Sequence, residues 1–87
     1  MIAPRIMVVE DEETLGELLR YNLESEGYQV EVVARGDEAD LRLRESLPDL
    51  LVLDWMVPAV SGIALCRRIR MRAESARLPV IMLTARG

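Results

Sequence analysis

The 87-residue chain contains no lysine and no histidine, so all eleven of its cations are arginine. Its single cysteine, Cys66, excludes an internal disulfide. Without histidine beside that cysteine, a structural zinc site has too few ligands to draw on. No stretch approaches the roughly 18 consecutive apolar residues that a membrane span requires. The richest, residues 50–60, is interrupted by Asp54 and Pro58. The opening Met1-Ile2-Ala3-Pro4-Arg5 lacks the apolar core of a secretory signal, which makes a reducing cytoplasm the expected location. There is no internal repeat, low-complexity tract or Gly/Ser linker. A chain this short buries roughly 60–65% of its unfolded surface, enough for one modest core and one domain.

Half of the residues are apolar (51%), which is the composition of a folded chain and not of a disordered one. The net charge is −4, unevenly spread. Residues 1–62 carry 5 Arg against 14 acids, whereas residues 63–87 carry 6 Arg against Glu74 alone. A net acidic chain is not the footprint of a free-standing nucleic-acid binder.

Two kinds of segment alternate along the chain. Residues 5–9 and 50–53 are continuous apolar runs, as expected of strands buried on both faces. Residues 28–34 alternate around Val30, Val32 and Val33 and read as an outer strand. Residues 79–83 read as a fourth strand. Between them lie three helical patterns. In residues 12–26 a stripe of Leu15, Leu18, Leu19 and Leu23 faces inward, Glu12 and Glu13 suit the N-terminal end, and Gly27 stops the helix. Residues 36–46 point Ala39, Leu43 and Leu47 inward before Pro48-Asp49 breaks the helix. Residues 62–72 carry Leu65, Cys66 and Ile69 on their inner stripe. The order βαβαβαβ predicts a parallel sheet with helices on both faces, joined by right-handed crossovers. In such sheets, ligands bind beyond the carboxyl ends of the strands.

Those ends are acidic. Glu10 and Asp11 follow the first strand, Asp54 follows the third, and Thr84 follows the fourth. If the first and third strands are neighbours, three carboxylates meet at one rim. They would raise one another's pKa unless a cation intervenes. Oxygen ligands alone suit a hard ion, and Mg²⁺ is the natural candidate. A carboxylate beside such an ion can attack a phosphoryl group, with a hydroxyl such as that of Thr84 hydrogen-bonding its oxygens. Each residue also has a plain reading. Glu10 to Glu13 can be an acidic helix start, Asp54 can cap a turn, and a strand-end threonine is ordinary. An unpaired carboxylate between four apolar residues and Trp55 is costly, however, and the combination outweighs its parts.

Val8-Val9-Glu10-Asp11-Glu12, Leu51-Val52-Leu53-Asp54-Trp55-Met56-Val57-Pro58, Ser61-Gly62 and Leu83-Thr84-Ala85-Arg86 resemble the receiver domains of bacterial two-component response regulators. The wording is most similar to the phosphate-regulon branch of the winged-helix transcription factors. The resemblance implies a flavodoxin-like doubly wound parallel sheet of strand order 2-1-3-4. It makes Asp54 the phosphoacceptor. It gives Mg²⁺ to Glu10, Asp11, Asp54 and the backbone carbonyl of Met56, and makes Thr84 the switch hydroxyl. The phosphate donor would be a histidine kinase, docking in part on the first helix. Members of that family carry a lysine after a fifth strand. Here there is none, and residues 1–87 correspond to the N-terminal part of a single receiver domain, lacking the last helix-strand-helix portion.

That departure sets further expectations. The fragment should be impaired in phosphotransfer, and the open edge of residues 80–83 should drive homo-oligomers. No nucleic acid or membrane should be bound by it, and it is expected to be a switch, not an enzyme. The alternative is a protein-interaction module that keeps the architecture without phosphorylation. A haloacid-dehalogenase-like phosphatase would need a second Asp at the position of Met56. The arginines at 67, 68, 70 and 72 suit a helix C-terminus or contacts with acidic neighbours better than a nucleic-acid face. Cys66 reads as a packed apolar residue.

Overall fold

A computed structural model of the chain describes residues 2–83. Four strands, β1 (Arg5–Val9), β2 (Gln29–Val33), β3 (Leu50–Asp54) and β4 (Val80–Leu83), form one parallel sheet in the order β2-β1-β3-β4. Three helices connect them: α1 (Glu13–Ser25), α2 (Gly36–Glu45) and α3 (Gly62–Met71). The expected doubly wound sheet of order 2-1-3-4 is therefore present. Thr84 lies outside the described residues, as do Ala85 and Arg86.

Each strand face has its own core. Met7, Val9, Val33, Leu51 and Leu53 pack with Ala39 and Leu43 of α2 and Leu65 and Ile69 of α3. Ile6, Val8 and Val52 face the other way, against Leu19 and Leu23 of α1. The central strands are apolar on both faces because both faces are covered, which is why they read as continuous runs.

The helix ends follow their caps. Glu12 caps α1, its carboxylate accepting from the Leu15 N–H at 2.9 Å, and Gly27 follows the helix at φ 99°. That left-handed conformation costs glycine nothing. Ser61 caps α3, its hydroxyl accepting from the Ala64 N–H at 3.2 Å.

The leucine stripe of α1 is corrected by the structure. Leu19 and Leu23 pack inward, but Leu18 is 55% exposed and Leu15 is exposed as well. The buried residue of that helix is Gly16, where an added Cβ would stand 3.1 Å from Cγ1 of Val32. The glycine brings α1 down onto β2, and the contact line runs through residues 16, 19 and 23 instead of through 15 and 18. On this face Ile81 of β4 is 51% exposed.

The arginines of α3 find an acidic neighbour that the sequence reading did not single out. Asp40 of α2 is buried, and its carboxylate meets three guanidiniums. Arg72 lies at 2.7 Å, Arg68 at 3.0 Å and Arg44 at 3.8 Å. Burial pushes the Asp40 carboxyl up, but Arg72 and Arg68 more than offset this and hold it below the ordinary aspartate range. Arg70 instead donates to the carbonyls of Ala76 and Leu78 and closes the turn after α3. Arg68 lies on α3 and Arg72 is the residue that ends it, so a single carboxylate clamps α2 to α3 and its C-terminal end.

Removing that carboxylate strands guanidiniums that are still partly solvated. Asp40→Ala should therefore cost about 2 kcal/mol in urea unfolding, less than a fully buried pair would. Because the folded Asp40 pKa is depressed, its contribution is present above the unfolded pKa and is lost as pH falls through the folded one. The gap between the two proteins' stabilities should close in acid.

Candidate functional site

The strand order changes direction between β1 and β3. Chain connections leave this pair toward β2 on one side and β4 on the other, and a crevice opens at the carboxyl ends. The register Val9↔Leu53 brings the residues after β1 level with Asp54, the last residue of β3. The Glu10 N–H donates to the Val33 carbonyl at 2.9 Å, which carries the ladder one residue past β1.

Glu10, Asp11 and Asp54 converge there. One carboxylate oxygen from each lies within 4.8 Å of the others. Glu10 is buried, Asp54 half-buried and Asp11 exposed. Glu10 Oε2 accepts from the Glu12 N–H at 2.8 Å, which fixes the carboxylate against the start of α1. None of the ion pairs among the described residues involves these three groups. Burial pushes the Glu10 carboxyl up. The Glu12 N–H pulls it down, the charges of Asp54 and Asp11 raise it again, and the net shift is upward.

The loop at 55–61 forms the other wall. The Trp55 N–H donates to the Leu83 carbonyl at 3.3 Å, and the Gly62 N–H donates to the Trp55 carbonyl at 2.9 Å. A Cβ on Gly62 would stand 2.3 Å from the Asp54 carbonyl oxygen, so only glycine lets α3 start this close to the acidic residue. The Met56 N–H lies 3.5 Å from Asp54 Oδ1, at the outer limit of a hydrogen bond. An open cavity of about 510 Å³ lies alongside, lined by Asp11, Trp55, Met56, Pro58, Ser61 and Ile63. Trp55 is 45% exposed.

Of the residues singled out in the sequence, the structure thus brings together Glu10, Asp11 and Asp54, with Met56 beside them. Thr84 lies outside the described residues. The plain readings are partly true as well, since Glu12 does cap α1. The bond from the Glu12 N–H to Glu10 was not foreseen. Its signal was present as an acid two residues ahead of a helix cap.

The sequence matches the response regulator receiver domain family over residues 6–87. The chain belongs to that family. It is similar to the phosphate regulon transcriptional regulatory protein PhoB of Rhizobium meliloti, with 69% identity over 84 residues, 97% of this chain and 37% of that protein. It is 43% identical over 82 residues to the alkaline phosphatase synthesis transcriptional regulatory protein PhoP of Bacillus subtilis, covering 94% of this chain and 33% of that protein. The chain therefore spans about a third of the length of these relatives. Among solved structures, a response regulator described as putative from Chloroflexus aurantiacus superposes with a TM-score of 0.95 at 36% identity, covering 99% of this chain and 70% of that one. The receiver domain of the Pseudomonas aeruginosa sensor histidine kinase PA1611, with a magnesium ion coordinated in its active site cleft, gives 0.93 at 30% identity, covering 98% and 70%. The chain is thus a receiver-domain chain of a two-component response regulator related to PhoB.

Without a cation, the raised Glu10 pKa makes the receiver site a cost to the fold at neutral pH. A raised acid binds more protons folded than unfolded, so stability falls as pH rises from the unfolded to the folded pKa. Glu10→Gln should remove that slope. In metal-free buffer, thermal melts should show the variant more stable than the parent at pH 7 and no more stable near pH 4.

Proposed function

We propose that the receiver chain is a phosphoacceptor, taking a phosphoryl group onto Asp54 from the phosphohistidine of a histidine kinase. The observation that carries this reading is the convergence of Glu10, Asp11 and Asp54 within 4.8 Å, with no ion pair to them among the described residues. An all-oxygen donor set of this size fits Mg²⁺, which takes one or two carboxylates and keeps several waters. Glu10, Asp11, Asp54 and the Met56 carbonyl would hold it, and bound there it supplies positive charge for the oxygens of the transferring phosphoryl group.

The residues divide the remaining work. Glu10, buried and held by the Glu12 N–H, is the fixed member of the set, and Asp11 is the one that faces solvent. Asp54 offers a carboxylate oxygen to phosphorus. The new bond is O–P, the bond broken is the N–P bond of the phosphohistidine, and its electron pair stays on the imidazole nitrogen, which takes a proton from water. Thr84 would donate its hydroxyl to a phosphoryl oxygen. The chain receives a group and is itself changed, so it acts as a switch and not as an enzyme. We place it in the cytoplasm with its kinase, and assign no nucleic acid or membrane to these residues.

The 87 residues hold no lysine. One missing positive charge at a phosphoryl site costs about 3 kcal/mol in the transition state, so transfer to this chain by itself should be slow. Titration with Mg²⁺ should give a saturable change in Trp55 fluorescence, weakened at least about tenfold by Asp11→Asn. A small-molecule phosphodonor should label Asp54 slowly and the Asp54→Asn variant not at all. A flat titration in a chain that is folded by circular dichroism overturns the reading.

A second reading, an interaction module without phosphotransfer, is favoured by half-exposed Ile81 on β4. In it, two copies pair through the edge of Val80–Leu83. Sedimentation should then show a dimer that Ile81→Lys shifts to monomer, and a compact monomer at high concentration excludes it.

A further inference from the structure

Gly36 begins α2, 18 residues before Asp54, and no carboxylate of the site touches it. Yet it grips the loop that carries the site. The Gly36 N–H donates to the Pro58 carbonyl at 3.0 Å. A Cβ on Gly36 would stand 1.8 Å from the Val60 carbonyl oxygen and 2.7 Å from its carbon, closer than any side chain tolerates. The opposing atoms are backbone, so the contact cannot be relieved by turning a rotamer.

The segment that Gly36 holds is strained. Ala59 has φ 74°, a conformation that residues with a Cβ rarely adopt. The Val60 N–H donates back to the Pro58 carbonyl at 3.0 Å, closing a three-residue turn around Ala59. Strain of this kind persists only where the surroundings over-determine it. Here the Pro58 carbonyl receives two donors, Val60 from within the turn and Gly36 from α2. Two residues before Pro58 stands Met56, and two before that, Asp54.

We propose that Gly36 is a positioning residue for the acidic site: by letting the start of α2 meet the Val60 carbonyl, it sets the loop that places Met56 beside Asp54. The part concerning metal rests on the function proposed above. Gly36→Ala must push the loop outward, and it should weaken Mg²⁺ binding about tenfold, the range typical of residues that support metal ligands from behind.

The test compares two variants of the same helix. Gly36→Ala touches the loop, whereas Leu43→Ala removes a buried side chain from the α2 core. Mg²⁺ affinity is read by Trp55 fluorescence beside thermal stability. The proposal expects Gly36→Ala to lose affinity about tenfold and Leu43→Ala to stay within about twofold despite an equal or larger loss of stability. Equal losses of affinity, or none for Gly36→Ala, overturn it. If the parent binds no Mg²⁺, the functional reading falls. Gly36 is then judged by amide exchange, which in Gly36→Ala should quicken at Val60 and Gly62 and in Leu43→Ala should not. If Gly36→Ala fails to fold, the parent decides. Its Gly36 amide resonance should move with that of Trp55 as Mg²⁺ is added, and a stationary Gly36 resonance overturns the proposal.

Discussion

Everything at the site depends on the pairing of β1 with β3. These strands are separated by 40 residues of chain, and only their register brings Glu10 and Asp11 level with Asp54. A slip of one residue moves a strand by about 3.3 Å and turns each side chain to the opposite face. In most sheets the apolar pattern forbids such a slip, because one face is wet. Here both faces are apolar, so hydrophobicity alone discriminates weakly. The discrimination comes from the other end of the strands. The Arg5 N–H donates to Asp49 Oδ2 at 2.7 Å, and the Asp49 N–H donates to the Arg5 carbonyl at 2.8 Å. The Arg5 guanidinium also donates to Ser46 Oγ and the Leu47 carbonyl. This polar clasp fixes both strand starts, and the acidic rim at the strand ends inherits the register.

The two faces of the sheet are held differently. On one side α1 lies close because Gly16 permits it, and apolar contact supplies the attraction. On the other, α2 and α3 share the larger core and are tied by Asp40 to arginines of α3. The site loop is built against that second layer, through Gly36 and Gly62. Rigidity of the loop is therefore borrowed from the α2–α3 pair, while Glu10 is anchored to the start of α1 through the Glu12 N–H. The three carboxylates are thus positioned from both layers.

Strands, helix order and the three acids were legible because each rests on a local signal. Residues 5–9 and 50–53 are apolar runs of strand length, and residues that follow a parallel strand must reach the carboxyl rim. Two things were not legible. The stripe of α1 was misjudged because leucine spacing allowed two neighbouring faces, and the deciding residue, Gly16, acts by lacking a side chain. Asp40 was missed because its two nearest partners, Arg68 and Arg72, lie 28 and 32 residues away. Its position beside Ala39 and its match to the Arg68–Arg72 spacing become informative only once α2 and α3 are known to be neighbours. The hold of Gly36 on Val60 is of the same kind, a contact between backbones that no side-chain pattern announces.

Departures from local preference are not scattered through this fold. At the amino ends of the strands, charges meet partners and backbone groups are satisfied. At the carboxyl ends stand a buried acid with a raised pKa, two more carboxylates beside it, and an alanine in a left-handed turn. A folded chain tolerates such conflicts where the remainder of the structure over-determines them, and function is their usual reason. Charge repulsion alone would favour spreading the three acids apart, and strain alone would favour glycine at position 59. Both conflicts fall within a few residues of Asp54, where the function proposed for this chain would place a cation and a developing charge.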